Sequence, residues 1–500
     1  MDLLLGLDIG TTAAKALLFD LEGNVVASAS CRYNLVVPQD GWVEQDPEEL
    51  WHGVVETSRS VLRCIGPCDR VVALSLSSQA GTTIPVDAEG RPTHNAISWL
   101  DQRTGGISQL VRQRLGVEVF HAITGWPLRG CMPLYHICWL QQNRPDDLAA
   151  TRRFLFVNDF IIHRLTGQWC MNPSDAGMTR LMNIATADWD ERLLGIAGIT
   201  RDHLSPVHPS GCAVGTLTAT ASEVTGLPHD LLVVNGAHDQ YCAAVGTGVT
   251  RSGHVLLSCG TAWVILAVPE SLEVGLHSGM GISHHAVEGR WGALRSLGGV
   301  GTSLEWFLDN IWGEKGTKNR RESLYNAISE GVIRSSAGAG GLLFYPLSGG
   351  HVIDIKNLGG FIGLSLSHSR DDMARAVMEG IAFELRWAME EMREAEVRVT
   401  ELKMVGGAAG SPVWPQIVAD VTGFPVSLPA VKQSASRGAA ILAGVGAGLL
   451  HDPETGFLAF RGRETCLEPR AKNRHRYDDL FHTYRQLSQF MVGPLGRVST

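Results

Sequence analysis

Five hundred residues exceed what one ordinary hydrophobic core can hold, so two large domains are expected. Hydrophobic residues make up 44% and charged ones 19%, which is the composition of a globular chain and excludes wholesale disorder. With 42 Lys and Arg against 51 Asp and Glu, the net charge of -9 argues against nucleic acid as a principal partner, because backbone phosphates need a basic face, while a small anionic ligand held locally stays open.

The chain opens MDLLLGLDIG, with an Asp inside the apolar run and no basic segment before it, so it does not read as a signal peptide. No stretch approaches the ~20 uninterrupted apolar residues of a spanning helix, and no membrane partner is expected. The ten cysteines are scattered, and Cys64 and Cys68 lack a second pair to complete a zinc site. They read as reduced, mostly buried thiols of a cytoplasmic protein. Glycine is abundant at 57 residues, much of it clustered between strand-like and helix-like runs.

Strand-like and helical runs alternate from end to end, which is α/β grammar. Leu3 to Ile9, Ala14 to Phe19 and Val25 to Ser30 read as successive strands, with Glu22-Gly23-Asn24 as a hairpin turn. A helix is expected from Asp46 as N-cap, with Pro47 at its first position and Glu48 and Glu49 in its first turn. Strand, Gly-Thr turn, strand recurs at Val255 to Val268, a faint internal duplication. It suggests two related domains facing each other across a cleft, with a boundary near residue 245.

The candidate chemistry lies at the turns. In LGLDIGTTAAKALLFD, the turn after Asp8 offers the hydroxyls and backbone N–H groups of Thr11 and Thr12 to phosphate oxygens, while Asp8 can hold magnesium through water. Lys15 either adds a positive charge there or lies at the surface, and the whole segment also reads as a plain hairpin. In LLVVNGAHDQYCAAVGTG, Leu231 to Val234 reads as a buried strand, with Asp239 in the loop beyond its carboxyl end. Asp239 is either a general base, worth about 10²–10⁴-fold, or the cap of a helix starting near Tyr241. His238 reads as a neighbour of Asp239 and not as a ligand. In LLSCGTAWVIL, Gly260 and Thr261 form the second Gly-Thr turn, and two such turns would clasp one triphosphate from opposite sides. In ELKMVGGAAGSPVWPQ, Gly406 and Gly407 make a turn without side chains and Ser411-Pro412 a helix start. This suits either a nucleotide lying against the loop or tight strand–helix packing.

These elements in this order resemble the FGGY carbohydrate kinases, of the sugar kinase–actin–chaperone ATPase superfold. GGFIGLSLSHSRDDMARAVMEG is similar to the family's second signature at Gly359, Phe361, Gly363, Leu364, Asp372, Met373, Ala376, Val377, Met378 and Glu379. The resemblance runs from Leu4 to about Arg485 and is nearest the xylulokinase branch. It implies an α/β fold of two ribonuclease-H-like (actin-like ATPase superfold) domains flanking a central cleft, spanning residues 1–245 and 246–500. The first would carry the sugar side, the first phosphate loop and the catalytic Asp; the second would carry the second phosphate loop and the adenosine site. It implies ATP and Mg2+, with Asp239 as catalytic base, Asp8 on the magnesium side, and Thr11, Thr12, Lys15, Gly260 and Thr261 at phosphates. Gly301 and Glu305 would border the nucleotide, and Gly406, Gly407 and Ser411 the adenosine moiety. On the sugar side it implies Gln79, Ala80, Gly81, Trp99, Asp101 and Gln240. Trp99 can stack on a sugar's C–H face or be plain core; Asp101 can bond a hydroxyl or only pair with Arg103. A pocket that bonds each hydroxyl rejects analogues lacking one.

Three departures stand out. Ala80-Gly81 replaces the Met-His usual in xylulokinases, which implies a larger or less polar pocket. SGGHVIDIKNLGG has His351 and Ile353 where relatives tend to carry Arg and Pro. His136, in MPLYHICWLQQ, replaces the usual Lys and reads as a surface or packing change. The expected activity is ATP-dependent phosphorylation of a small sugar or polyol, with hinge closure excluding water. D-Xylulose or a related ketose leads (xylose metabolism); gluconate, other pentuloses and alditols follow. The resemblance allows a homodimer. Rivals are a catalytically inactive regulator that binds sugar or nucleotide, which the intact Asp8, Thr12, Thr261 and Asp239 disfavour, and a chaperone- or actin-like ATPase, which the FGGY signature disfavours.

Overall fold

The opening apolar run forms β1 (Asp2–Ile9), buried from Leu3 onward, as a strand covered on both faces should be. β2 (Ala13–Phe19) and β3 (Val25–Arg32) follow as an antiparallel meander. The expected turn between them is present, with the Asp20 carboxylate accepting from the backbone of Glu22 and Asn24. α1 (Pro47–Leu62) begins where the sequence places it: Asp46 accepts from the Glu48 N–H at 2.9 Å and Pro47 fills the first position. β4 (Arg70–Ser78) lies parallel to β1. The short β5 (Ala213–Thr216) pairs antiparallel with β6 (Leu232–His238), which is parallel to β4. The sheet order is β5-β6-β4-β1-β2-β3. Register aligns Asp8 with Ser77 and then Ser77 and Ser78 with Ala237 and His238, so β1, β4 and β6 all end at one sheet edge. The short helix α2 (Pro173–Met178) and the helix α3 (Asp239–Thr247) begin beside that edge, α3 directly after β6.

A second sheet repeats this pattern. β7 (Gly253–Cys259) and β8 (Trp263–Ala267) form an antiparallel hairpin, and β9 (Val399–Gly406) lies parallel to β7 on its other side. β10 (Val426–Leu428) is parallel to β9, and β11 (Thr465–Leu467) antiparallel to β10. β7 thus has the neighbours that β1 has, and the duplication read from the two Gly-Thr turns is present in the topology. α4 (Thr302–Phe307), α5 (Arg370–Glu394) and α6 (Trp414–Thr422) belong with this sheet. α5 opens with a capping box between Ser369 and Asp372 and buries Val377, Ile381, Leu385 and Met392, while Met373 is half-buried.

The chain forms two compact units in this computed structural model, which describes residues 1–313, 321–351, 359–460 and 462–492. The first comprises Met1–Arg251, Val268–Ala293 and Gln433–Gly462; the second comprises Ser252–Ala267, Leu294–Lys432 and the stretch from Arg463. The units therefore interleave along the chain instead of following a single cut at residue 245. The reason is α7 (Ser434–Gly446), which packs on β1, β4, β6 and α3 of the first unit. It approaches to backbone contact: a Cβ on Gly6 would lie 1.9 Å from the Ser436 carbonyl oxygen, and one on Gly438 would lie 1.8 Å from that of Cys242.

All ten cysteines are free thiols, but only Cys138, Cys170, Cys242 and Cys259 are buried, fewer than expected, because Cys64, Cys68 and Cys466 lie on exposed surface. Among the described residues no helix is long and apolar enough to cross a membrane.

Candidate active site

In the first unit the site grows from the shared edge of β1, β4 and β6. Asp8, 8% exposed, accepts a hydrogen bond from Ser77 Oγ at 2.8 Å, across the β1–β4 pair. Lys15 stands opposite it in the β1–β2 register, with Nζ 3.5 Å from Asp8 Oδ2. Burial raises the Asp8 pKa; Lys15 opposes this and the nearby Asp239 charge adds to it. Asp8 and Asp239 therefore share one electrostatic neighbourhood. The Gly10–Thr12 turn closes with Gly10 N–H donating to Ala13 O at 3.0 Å. Thr11 is held on both sides: its carbonyl accepts from Gln45 Nε2 at 2.9 Å and its hydroxyl from Trp99 Nε1 at 3.1 Å. Thr12 is exposed.

Asp239 is not in a loop. It is the first residue of α3, because β6 runs on to His238. Nor does it cap the helix, since His238 occupies that position and makes no side-chain capping bond. Its side chain is 31% exposed, and Oδ1 lies 3.0 Å from His238 Nε2, close enough for an ion pair but off line for a hydrogen bond. Gln240 follows, half-buried in the first turn of α3.

Two residues that the sequence did not mark as partners of Asp239 complete this edge. The His238 N–H donates to Ser174 Oγ at 2.9 Å. Burial opposes charge on the His238 ring, yet Asp239 and then Asp175 outweigh it and hold its pKa above the ordinary value. Asp175, in α2, accepts from Asn172 Nδ2 at 2.7 Å and Ser78 Oγ at 3.4 Å, and burial pushes its pKa up to about 7. The Asn172-Pro173-Ser174-Asp175 helix start was the available signal; nothing in the sequence tied it to Asp239.

On the sugar side, Gln79 is buried, donating from its backbone to Ile9 O at 2.9 Å and from Nε2 to Gln45 Oε1 at 2.8 Å, and its Oε1 has no partner. Ala80 is buried and Gly81 has a left-handed φ of 78°. A Cβ on Gly81 would meet Met132 Sδ at 2.9 Å and Trp99 Cβ at 3.1 Å. The Met132 thioether thus takes space that a side chain at residue 81 would need, so the pocket expected to be larger is partly refilled. Trp99 is 36% exposed and is not plain core. Asp101 follows the pairing alternative: fully buried, it accepts from Val43 N–H at 2.6 Å and from the backbone, Nε and Nη2 of Arg103. Arg103 also pairs with Glu44 at 2.8 Å and lies 3.8 Å over the Trp42 ring. Asp101 therefore has little acceptor capacity left for a sugar hydroxyl. His136 is a packing residue, fully buried with Nδ1 2.9 Å from Thr83 Oγ1.

In the second unit, Gly260, Thr261 and Gly301 come together. Gly260 N–H donates to Ala262 O at 3.2 Å and Gly301 N–H to Thr261 O at 3.1 Å. A Cβ on Gly301 would lie 2.3 Å from Gly260 O, so only glycine permits this approach. The β7–β9 register sets Gly406 beside Cys259, at the foot of the same turn. Gly407–Gly410 then makes one 3-10 turn, and Ser411 Oγ accepts from Trp414 N–H at 3.2 Å. α6 starts at Trp414, three residues later than the expected Ser411-Pro412 start. Glu305, in α4, is engaged by Arg321 and by the Tyr325 hydroxyl. His351 Nδ1–H donates to Glu384 Oε2 at 2.7 Å and its ring stacks on Trp387 at 4.3 Å; Ile353 lies outside the described residues.

A gluconokinase of Bacillus subtilis is 28% identical over 496 residues, covering 98% of this chain and 96% of that protein. A xylulose kinase of the same organism is 29% identical over 491 residues, covering 97% of each. The crystal structure of xylulose kinase from Rhodospirillum rubrum superposes with a TM-score of 0.89 at 26% identity, covering 99% of this chain and all of that one. The model of the N-terminal domain of the FGGY family of carbohydrate kinases matches residues 3–246 and that of its C-terminal domain residues 255–447. The chain belongs to the FGGY family of carbohydrate kinases, with xylulose kinases among its relatives by sequence and by structure.

Proposed function

We propose that this sugar kinase transfers the γ-phosphoryl group of ATP to a terminal hydroxyl of a small sugar or polyol, with Asp239 as general base. The observation that carries the reading is the partly exposed Asp239 carboxylate at the carboxyl edge of the β1-β4-β6 sheet, with Asp8 in its field. Asp239 takes the hydroxyl proton as the oxygen attacks phosphorus; the phosphorus–oxygen bond to ADP breaks, and ADP leaves with that electron pair. His238 Nε2, 3.0 Å from Oδ1, helps hold the base in place. Gln79 Oε1, buried and unpartnered, is a ready acceptor for a second substrate hydroxyl. Nucleotide phosphates suit the Gly-Thr turns, where the side-chain-free Gly301 and Gly406 let the backbone close tightly against Gly260 and Cys259.

Magnesium fits the donor set: Asp8 offers one carboxylate, matching the one or two carboxylates and several waters this ion usually keeps, and the ion would neutralise phosphate charge. The first acceptor to assay is D-xylulose or a related ketose, on the strength of the xylulose kinase relatives; gluconate is the second, on that of the gluconokinase. The ten free thiols suit a reducing cytoplasm. The test is coupled ADP production from MgATP across ketoses, aldoses, alditols and sugar acids, with wild type and Asp239→Asn. Turnover on one acceptor that the variant loses supports the reading, and acceptor-independent hydrolysis overturns it.

A further inference from the structure

Arg180 lies one residue past Thr179, the C-cap of α2, and takes a left-handed backbone, φ 64°, which costs a non-glycine residue about 1–2 kcal/mol. It is 5% exposed, with its guanidinium carbon 3.8 Å from the centroid of the Trp126 ring. Trp126 is itself fixed by Nε1 donating to Ser283 Oγ at 3.1 Å. Arg180 Nη1 donates to the carbonyls of Gly177 and Met178, each at 3.2 Å, and Nε is buried without a partner. Among the described residues no carboxylate lies within 4.0 Å of it. Arg103 and Arg375, buried elsewhere in the chain, each pair with a carboxylate. An arginine stays charged at neutral pH, so this is a buried cation without its counter-ion. Its charge is felt at Tyr135, Cys131 and Tyr241, and at His238 beside the base. The Leu134 N–H donates to the carbonyl of Thr179, the residue before Arg180, at 3.0 Å, and Met132 beside it packs on Gly81 and Trp99, so Arg180 shares its neighbourhood with the sugar-side residues.

We propose that Arg180 anchors an anionic group on the acceptor, a carboxylate, making this enzyme a kinase of a sugar acid. The inference rests on the kinase reading above and names its substrate class. A single guanidinium suits a monoanion better than a phosphate dianion. The carboxylate would accept from the unpartnered Nε–H, and the opposite end of the polyol chain would present its hydroxyl to Asp239.

The test compares D-gluconate with D-glucitol, which differ only in the carboxylate, together with D-xylulose and D-glucose 6-phosphate, in wild type, Arg180→Met and Arg180→Lys. In wild type, kcat/KM for gluconate exceeds that for glucitol by about 100-fold, the scale of a desolvated charge pair. Arg180→Met loses that factor on gluconate, chiefly in KM, and changes glucitol less than threefold; Arg180→Lys retains part of it. Equal use of gluconate and glucitol by wild type, or equal losses on both in Arg180→Met, overturns the inference while leaving the kinase reading intact. Preference for the sugar phosphate overturns the carboxylate assignment, and no turnover with any acceptor overturns both readings. Should Arg180→Met fail to fold, calorimetry on wild type decides: gluconate binding no tighter than glucitol overturns the proposal.

Discussion

Asp239→Asn preserves shape and removes only the base. The variant should fold, because His238 and not Asp239 occupies the cap position of α3; losing a carboxylate from the first turn costs about 0.3–1 kcal/mol. Loss of a positioned general base lowers kcat by about 10²–10⁴, or ~2.7–5.4 kcal/mol of barrier. The structure supplies a second readout. Burial disfavours the charged His238 ring, and Asp239 at 3.0 Å is the largest effect opposing it. The substitution therefore drops the His238 pKa toward or below its ordinary 6.5, measurable by NMR titration of the imidazole. Coupled ADP release gives kcat, and circular dichroism gives the melting temperature. A kcat within threefold of wild type, or a His238 titration that does not move, refutes the arrangement described here.

Three further expectations follow from the geometry. Gly301→Ala places a methyl 2.3 Å from Gly260 O, displaces the second Gly-Thr turn and raises the KM for ATP by roughly tenfold to 100-fold, with the acceptor KM unmoved in initial-rate assays. Asp175, at about 7, holds in the folded state a proton that the unfolded chain releases near 3.8, so its contribution to stability falls as pH climbs through that window. Asp175→Asn lacks this fall, and the wild type's stability margin over it shrinks by a few kcal/mol between about pH 4 and pH 8 in thermal melts. Gly81→Ala costs about 1–2 kcal/mol from its left-handed backbone in urea denaturation, plus the contact with Met132, and adding Met132→Ala recovers the contact part alone.

What the sequence exposed and what it hid divide by range. The opening meander and α1 are local features: Gly23 sets the turn, and Asp46 with Pro47 starts the helix, each decided within four residues. The two Gly-Thr turns were visible as a repeat because each lies inside a hairpin. The Asp239 position was read to within two residues, but the strand ran further than its apolar core, Leu231 to Val234, because Asn235 to His238 continue beside β4. Asp101 looked equally suited to hydroxyls and to Arg103, and only the packed Trp42 and Trp139 decided it. Arg180 left no trace at all: MTRLMN has no periodicity or turn grammar that distinguishes a buried cation from a surface one. The exchange of chain between units through α7 was equally hidden, since an Ala- and Gly-rich helix carries no address.

That exchange has a consequence for biosynthesis. α7 covers β1, β4 and β6 with Ala439, Ala440, Ile441 and Leu442, all buried. The first 251 residues can emerge from the ribosome complete in their strands and still lack this wall. At ordinary translation speed roughly 10–40 s separate the last strand of the first sheet from the helix that seals it. During that interval the nascent chain displays an apolar sheet face, so chaperones that bind exposed nonpolar surface should associate with it until residue 446 is made. A fragment stopped at Arg251 should remain in that open, aggregation-prone condition, and supplying the 433–462 segment in trans should be able to close it.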